Sequence, residues 1–243
     1  MNLNFEEFKK KNLSFKELDN IRINNFKKFE TLGFPTKKQE HWKYTDLKTI
    51  INNSFDELEI FKDKNNSKYK NDLIFKNFEH NKIILLNGKF VESNFKYEDE
   101  KKIKIKSLKI ALKDEIEFKK IKNYFEDDQN SMISLNHALV NDGVIVEVDN
   151  NYSFTKPLII YNFFDESVNN KIINNKFFIS LGENSNLSFI DFYNSEENVK
   201  YFNNAIHNYT IKKDAVLKKF NINSSLDYSY NYNSTKVQNY SNS

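Results

Sequence analysis

The chain has 243 residues, with 37 Lys plus Arg against 34 Asp plus Glu and a formal charge of +3. That length suits one large domain or two small ones, and the two signs of charge are interspersed, so no basic arm invites nucleic acid. The absence of cysteine excludes a disulfide framework, thiolate metal ligands and a cysteine nucleophile, and no run approaches the roughly 20 apolar residues that span a bilayer.

A charged N-terminus without an apolar leader makes a cytoplasmic protein, with no membrane association, the expectation. Arg22 is the sole arginine, and Gly (4) and Pro (2) are scarce, a bias ascribed to A- and T-rich codons rather than to function.

In chain order, the first strong pattern is a helix over residues 14–32. Ser14 and Glu17 have the spacing of a capping box, Phe15, Leu18, Ile21, Phe26, Phe29 and Leu32 recur at helical period, and Gly33 and Pro35 stop the run. The stretch "QEHWKYTDL" follows and holds the only Trp, Trp42. Thr45 or Asp46 then caps a short helix with Leu47, Ile50 and Ile51 inward. Residues 62–72 read as a polar loop, and "KIILLNGKFVE" as a hairpin turning at Asn87-Gly88. Helical spacing returns in "SLKIALKD", "EIEFKKIKNYF" and "SMISLNHALVND", the last with Ser131 as start cap and Gly143 as end cap.

From Gly143 the period changes from 3.6 to 2, in short runs rich in β-branched and aromatic residues. These runs repeat. At an offset of 30, Leu181 falls on Ile211, Asn184 on Asp214, Leu187 on Leu217 and Phe192 on Ile222. A fixed period of this size marks stacked units that shield one another's apolar faces, for which a parallel β-helix is the natural solution. The expected architecture is α+β: a mainly helical domain with a small hairpin over 1–142, then β-helix coils over 143–243. The final "STKVQNYSNS" opens another coil without a cover, so the chain is expected to be an N-terminal fragment or to be completed by a partner.

Local chemistry is sparse. His41, His80, His137 and His207 lie far apart in sequence without metal-ligand spacing and read as solvated or core-edge residues; Ser134 and His137 are one helical turn apart but lack a nucleophile elbow. The glycines are isolated, so no glycine-rich loop cradles a phosphate. Glu147, Glu183 and Asp191 are the carboxylates that a carbohydrate-acting β-helix enzyme would use, and they share no rung position in the repeat. Leu226, Tyr228, Tyr230 and Tyr232 form an aromatic stripe with only Lys236 nearby, a poor platform for single-stranded nucleic acid.

Read in order, these segments resemble a known family. "RINNFKKFETLGFPTKKQEHWKYTDLK" is similar to the N-terminal signature of SufD-type members of the SufB/SufD family, scaffold subunits of SUF iron-sulfur cluster assembly. The matching residues are Gly33, Pro35, Glu40, Trp42, Lys43, Tyr44, Thr45, Asp46 and Leu47. The likeness continues through "IILLNGKFVES", "IKSLKIAL", "SLNHALVNDGVIVEV" and "PLIIY".

The resemblance implies a right-handed parallel β-helix behind a helical region, partnership with SufB-like and SufC-like proteins, and ATP hydrolysis by SufC rather than by this chain. It implies no catalytic residue, no metal ligand and no cofactor in the chain itself, with an iron-sulfur cluster formed in the assembled complex; a flavin there and a homodimer are left open. The family's distal rungs and ATPase-docking helices have no counterpart in this sequence. The signature reads as architecture, with Lys43 lying across Trp42 and Thr45 and Asp46 starting the next helix.

Overall fold

In the computed structural model, residues 3–12, 14–62, 75–125, 129–224 and 228–240 are described. Helix α1 (Phe5–Lys11) starts on Asn4, whose side chain accepts the Glu7 N–H, and buries Phe5 and Phe8. Helix α2 (Lys16–Leu32) buries Leu18, Phe26 and Phe29. The expected capping box does not form. Phe15 occupies the cap position without a side-chain bond, because the Ser14 hydroxyl donates instead to the Leu112 carbonyl, 98 residues away.

After helix α3 (Leu47–Ser54) and strand β1 (Glu59–Ile60), the polar loop expected over 62–72 falls almost wholly outside the described residues. The expected hairpin is present as β2 (Asn81–Leu86) and β3 (Lys89–Asn94). Its turn residues both take positive φ, Asn87 at 55° and Gly88 at 79°, as a two-residue connection requires. Then come β4 (Ile103–Ser107), α4 (Leu108–Ala111), α5 (Glu115–Ile121) and α6 (Ser131–Leu139).

Helix α6 departs from expectation at both ends. Asn130, not Ser131, caps it by accepting the Met132 N–H, and it ends at Val140, whose backbone is extended. Gly143 therefore caps nothing. It lies inside strand β5 (Asp142–Val148) at φ 148°, where a Cβ would sit 1.9 Å from the Lys176 carbonyl oxygen. Only glycine tolerates both the conformation and that approach.

The remaining strands are β6 (Leu158–Phe164), β7 (Lys171–Leu181), β8 (Asn186–Ser195), β9 (Tyr201–Ile211), β10 (Val216–Asn223) and β11 (Ser229–Asn239). They wind between two sheets. One has the order β11-β9-β7-β5-β4, with β1 also on β7; the other is β10-β8-β6-β2-β3. From β5 onward every pairing between coils is parallel, giving a solenoid of about three turns behind a helical segment. The 30-residue repeat is the pairing register itself: Leu181 opposes Ile211, Leu187 opposes Leu217 and Phe192 opposes Ile222. The segment expected to open a further coil at Ser234 instead continues β11 to Asn239.

Asparagine and aspartate turn the corners. Asn151, Asn184 and Asp214 sit at φ 54° to 59° between the first and second strands of successive coils, and Asn170 and Asn198 take the same conformation on the opposite side. Short polar side chains tolerate this left-handed geometry better than other non-glycine residues. Inside the coils Val144, Val146, Leu158, Phe177, Ile179, Leu187 and Phe189 form one core. On the outer face of the β7 and β9 sheet, Ile172 and Phe202 meet Phe26, Phe34, Ile51, Met132 and Leu135 from the helical segment. Full burial of such side chains stabilises by about 1.5–3 kcal/mol each, which is what holds the helices to the solenoid.

Candidate functional site

The signature segment is built as a doubled-back bracket. The Gly33 N–H closes α2 on the Phe29 carbonyl at 2.7 Å, Pro35 is buried, and its carbonyl accepts the Lys48 N–H at 3.0 Å, drawing the start of α3 alongside. A short 3₁₀ turn, Glu40–Trp42, places the indole parallel to the ring of Tyr232 on β11, with centroids 5.7 Å apart and planes 21° apart. Asp46 starts α3 by accepting the Thr49 N–H at 2.9 Å, and that bond chiefly holds its carboxyl below the ordinary range. Leu47 is buried beneath.

The rest of the signature faces outward. Glu40, Lys43, Tyr44 and Thr45 are exposed, Tyr44 to 86%. The ammonium of Lys43, whose stem is expected across Trp42, stands 5.1 Å from the Tyr44 ring centre and 3.8 Å from the Glu40 carboxylate. Two tyrosines of the stripe, Tyr230 and Tyr232, are occupied by this segment and its neighbours, whereas Tyr228 is 51% exposed. Ser54 donates to Tyr230 at 2.6 Å and Asn130 to Tyr232 at 2.9 Å, while Leu226 lies outside the described residues.

A second cluster lies inside the coils. Asp191 shares the inner face of β8 with Leu187 and Phe189 and is fully buried. One carboxylate oxygen accepts from Asn162 at 2.8 Å. The other accepts from the Tyr193 hydroxyl at 2.9 Å, stands 3.2 Å from the Lys219 ammonium and lies 3.5 Å from His207 Nε2. His207 is buried and stacked on Phe177 at 4.5 Å. Burial brings its pKa down to about 4, opposed by Asp191 and reinforced by Lys219. Burial likewise lowers Lys219 and raises Tyr193 well above the phenol range, so at neutral pH the Asn162 amide, the Tyr193 hydroxyl and an uncharged His207 ring surround the contact between Asp191 and Lys219.

Sequence reasoning singled out Asp191 but missed its partners, which come from other coils at separations with no local pattern. Glu147 and Glu183, the other two candidate carboxylates, are exposed, the first on β5 and the second in the turn after β7, whereas Asp191 points inward. The three do not converge. Of the histidines, His41 is exposed and His80 bonds Tyr161 at 2.9 Å near the surface, but His137 and His207 are core residues, contrary to the reading as solvated or core-edge. Among the described residues neither Ser134 Oγ nor His137 Nδ1 has a hydrogen-bond partner, so the two are not bonded to each other. Among the described residues no three His, Cys, Asp or Glu side chains group as metal ligands, and no helix is long and apolar enough to cross a membrane.

A helical segment bracketed onto a parallel solenoid of short coils places the molecule among mixed α+β solenoid proteins whose conspicuous features are packing surfaces rather than a cleft of convergent catalytic groups. The family described as SufBD protein N-terminal region matches residues 5–160, which spans the signature and the hairpin and runs into β6 of the first coil. The chain therefore belongs to the SufB/SufD family, which serves iron-sulfur cluster assembly in the SUF system. No curated protein matches it.

Proposed function

We propose that the chain is a SufD-type scaffold subunit, acting in the cytoplasm in a complex with a SufB-like protein and a SufC-like ATPase. The observation that carries this reading is the signature from Gly33 to Leu47, which lies within the family match and forms the bracket against the coils. In this reading the chain performs no catalysis: the cluster is cargo, formed in the assembled complex, and ATP is hydrolysed by the partner. The edges of β10 and β11 support it as well. They expose Phe220 at 59% and Val237 at 52% on strands paired on one side only, which suits edge pairing with a related solenoid.

Co-expression with SufB-like and SufC-like proteins tests the reading. The expected result is a stable ternary complex that acquires the visible absorbance of an iron-sulfur cluster on supply of iron and sulfide. A chain that copurifies with neither protein overturns it. The carbohydrate-enzyme reading, motivated by the repeat and by the Glu183 and Asp191 region, has less support, because Asp191 is enclosed among Asn162, Tyr193, His207 and Lys219, apart from the exposed Glu183.

A further inference from the structure

The nearly balanced charge of the chain is unevenly spent. Between the end of α1, the middle of α2, the start of β3 and α4 lies a cavity of about 360 Å³ walled by seven cationic side chains and one carboxylate. Lys10 and Lys11 come from α1, Arg22 from α2 and Lys62 from the segment after β1; Lys89, Lys109 and Lys113 complete the ring. The carboxylate, Asp142, is already committed. It accepts the Ser107 hydroxyl and the N–H groups of Lys109, Gly143 and Phe90, all within 2.7 to 3.2 Å.

Glu7 offsets part of the charge by pairing with Lys11 at 3.0 Å and Lys62 at 2.5 Å. Among the described residues Lys10, Lys109 and Lys113 form no ion pair. Arg22 is the most telling member. The only arginine in a lysine-rich chain, it is 2% exposed and gives one N–H to the Ala138 carbonyl at 3.0 Å, while its Nε has no partner among the described residues. Asp19, one turn earlier on α2, acts on the guanidinium electrostatically, and the unmade Nε bond remains a cost that a bound anion would offset. Lys89 adds a second strained cation: burial and the nearby Lys109 lower its pKa to about 8, against the pull of Asp142 and Asp165.

We propose that this cavity binds a small, multiply charged anion of the phosphate class. Its volume admits a diphosphate with room for a compact organic body. Several lysine point charges around one planar guanidinium match oxygens spread over two phosphorus centres better than a single flat carboxylate. The site lies on the helical side of the molecule, away from the coil edges assigned above to partner docking, so it stands or falls independently of that assignment.

Calorimetric titration of the full chain with inorganic pyrophosphate, orthophosphate and citrate at constant ionic strength tests the proposal. Pyrophosphate is expected to bind more tightly than orthophosphate, and citrate to bind weakly. The doubly substituted Lys109→Gln/Lys113→Gln chain changes exposed residues only and keeps its fold; loss of two charge-assisted bonds lowers pyrophosphate affinity by about tenfold or more. Lys218→Gln, an exposed lysine on β10, leaves it unchanged. Equal affinity for citrate, an unaltered affinity in the double variant, or the same loss in Lys218→Gln overturns the proposal.

Discussion

Asn136 joins three backbone segments through one amide. Its Nδ2 donates to the carbonyls of Asn175 on β7 and Asn204 on β9, each at 2.9 Å, while Asn204 returns a bond to the Met132 carbonyl in α6 at 2.9 Å. Helix α6 is thus pinned to the outer sheet face by polar links inside an apolar contact, where an unmade bond is expensive. Asn136→Ala removes both buried hydrogen bonds and is expected to destabilise by roughly 1–3 kcal/mol, read as a lowered urea midpoint with unchanged slope.

His207 makes a pH prediction. Its folded pKa, about 4, lies below the ordinary 6.5, so between those values the unfolded chain binds a proton that the native chain refuses. Stability is therefore full above pH 6.5 and falls on acidification through that window. His137, lowered by burial and by Lys176, acts in the same direction. His207→Gln is expected to flatten, though not abolish, the fall in melting temperature between pH 6.5 and 4, and an unchanged slope would contradict this account.

At the scale of elements, backbone fit decides more than side-chain identity. Gly143→Ala drives a methyl into the Lys176 carbonyl and breaks the β5 and β7 pairing. The expected cost exceeds the ~1–3 kcal/mol of ordinary backbone strain, seen as loss of the cooperative melt. Asn184 offers the milder counterpart: at φ 54°, Asn184→Ala should cost about 1–2 kcal/mol and Asn184→Gly distinctly less, since both lose the bond to Asn151 but only alanine opposes the conformation.

The coils were legible in the sequence because parallel in-register stacking turns a spatial neighbour into a constant offset. Leu187 and Leu217 reveal their pairing without any knowledge of the fold. Signals confined to one segment were weaker where a distant group intervened. Ser14 has the spacing of a cap, but Leu112 captures its hydroxyl; Gly143 follows a helix, yet the close approach of β7 explains it. The inner cluster was half visible. Asp191 stood out as a carboxylate in a β run, but Lys219, His207 and Asn162 reach it from neighbouring coils and carry no local mark of doing so.

For the whole molecule, the bracket around Trp42 ties an early segment of the chain to β11. Because Trp42 is the only tryptophan, its emission reports that closure alone. Tyr232→Ala should shift the emission to longer wavelength and lower stability by about 0.5–1.5 kcal/mol beyond lost area, the range for a ring pair. Unshifted emission would mean that the indole is held by other groups. The bracket also sets a schedule for the newborn polypeptide. Ser54 must wait for Tyr230, 176 residues later, which at ribosomal speeds of 5–20 residues per second is an interval of roughly 10–35 s. The greasy underside of the early helices lacks its seat until α6, β7 and β9 have been made, so chaperone demand should peak before β9 leaves the exit tunnel and fall afterwards, leaving the Trp42 bracket to close on β11 as a late step.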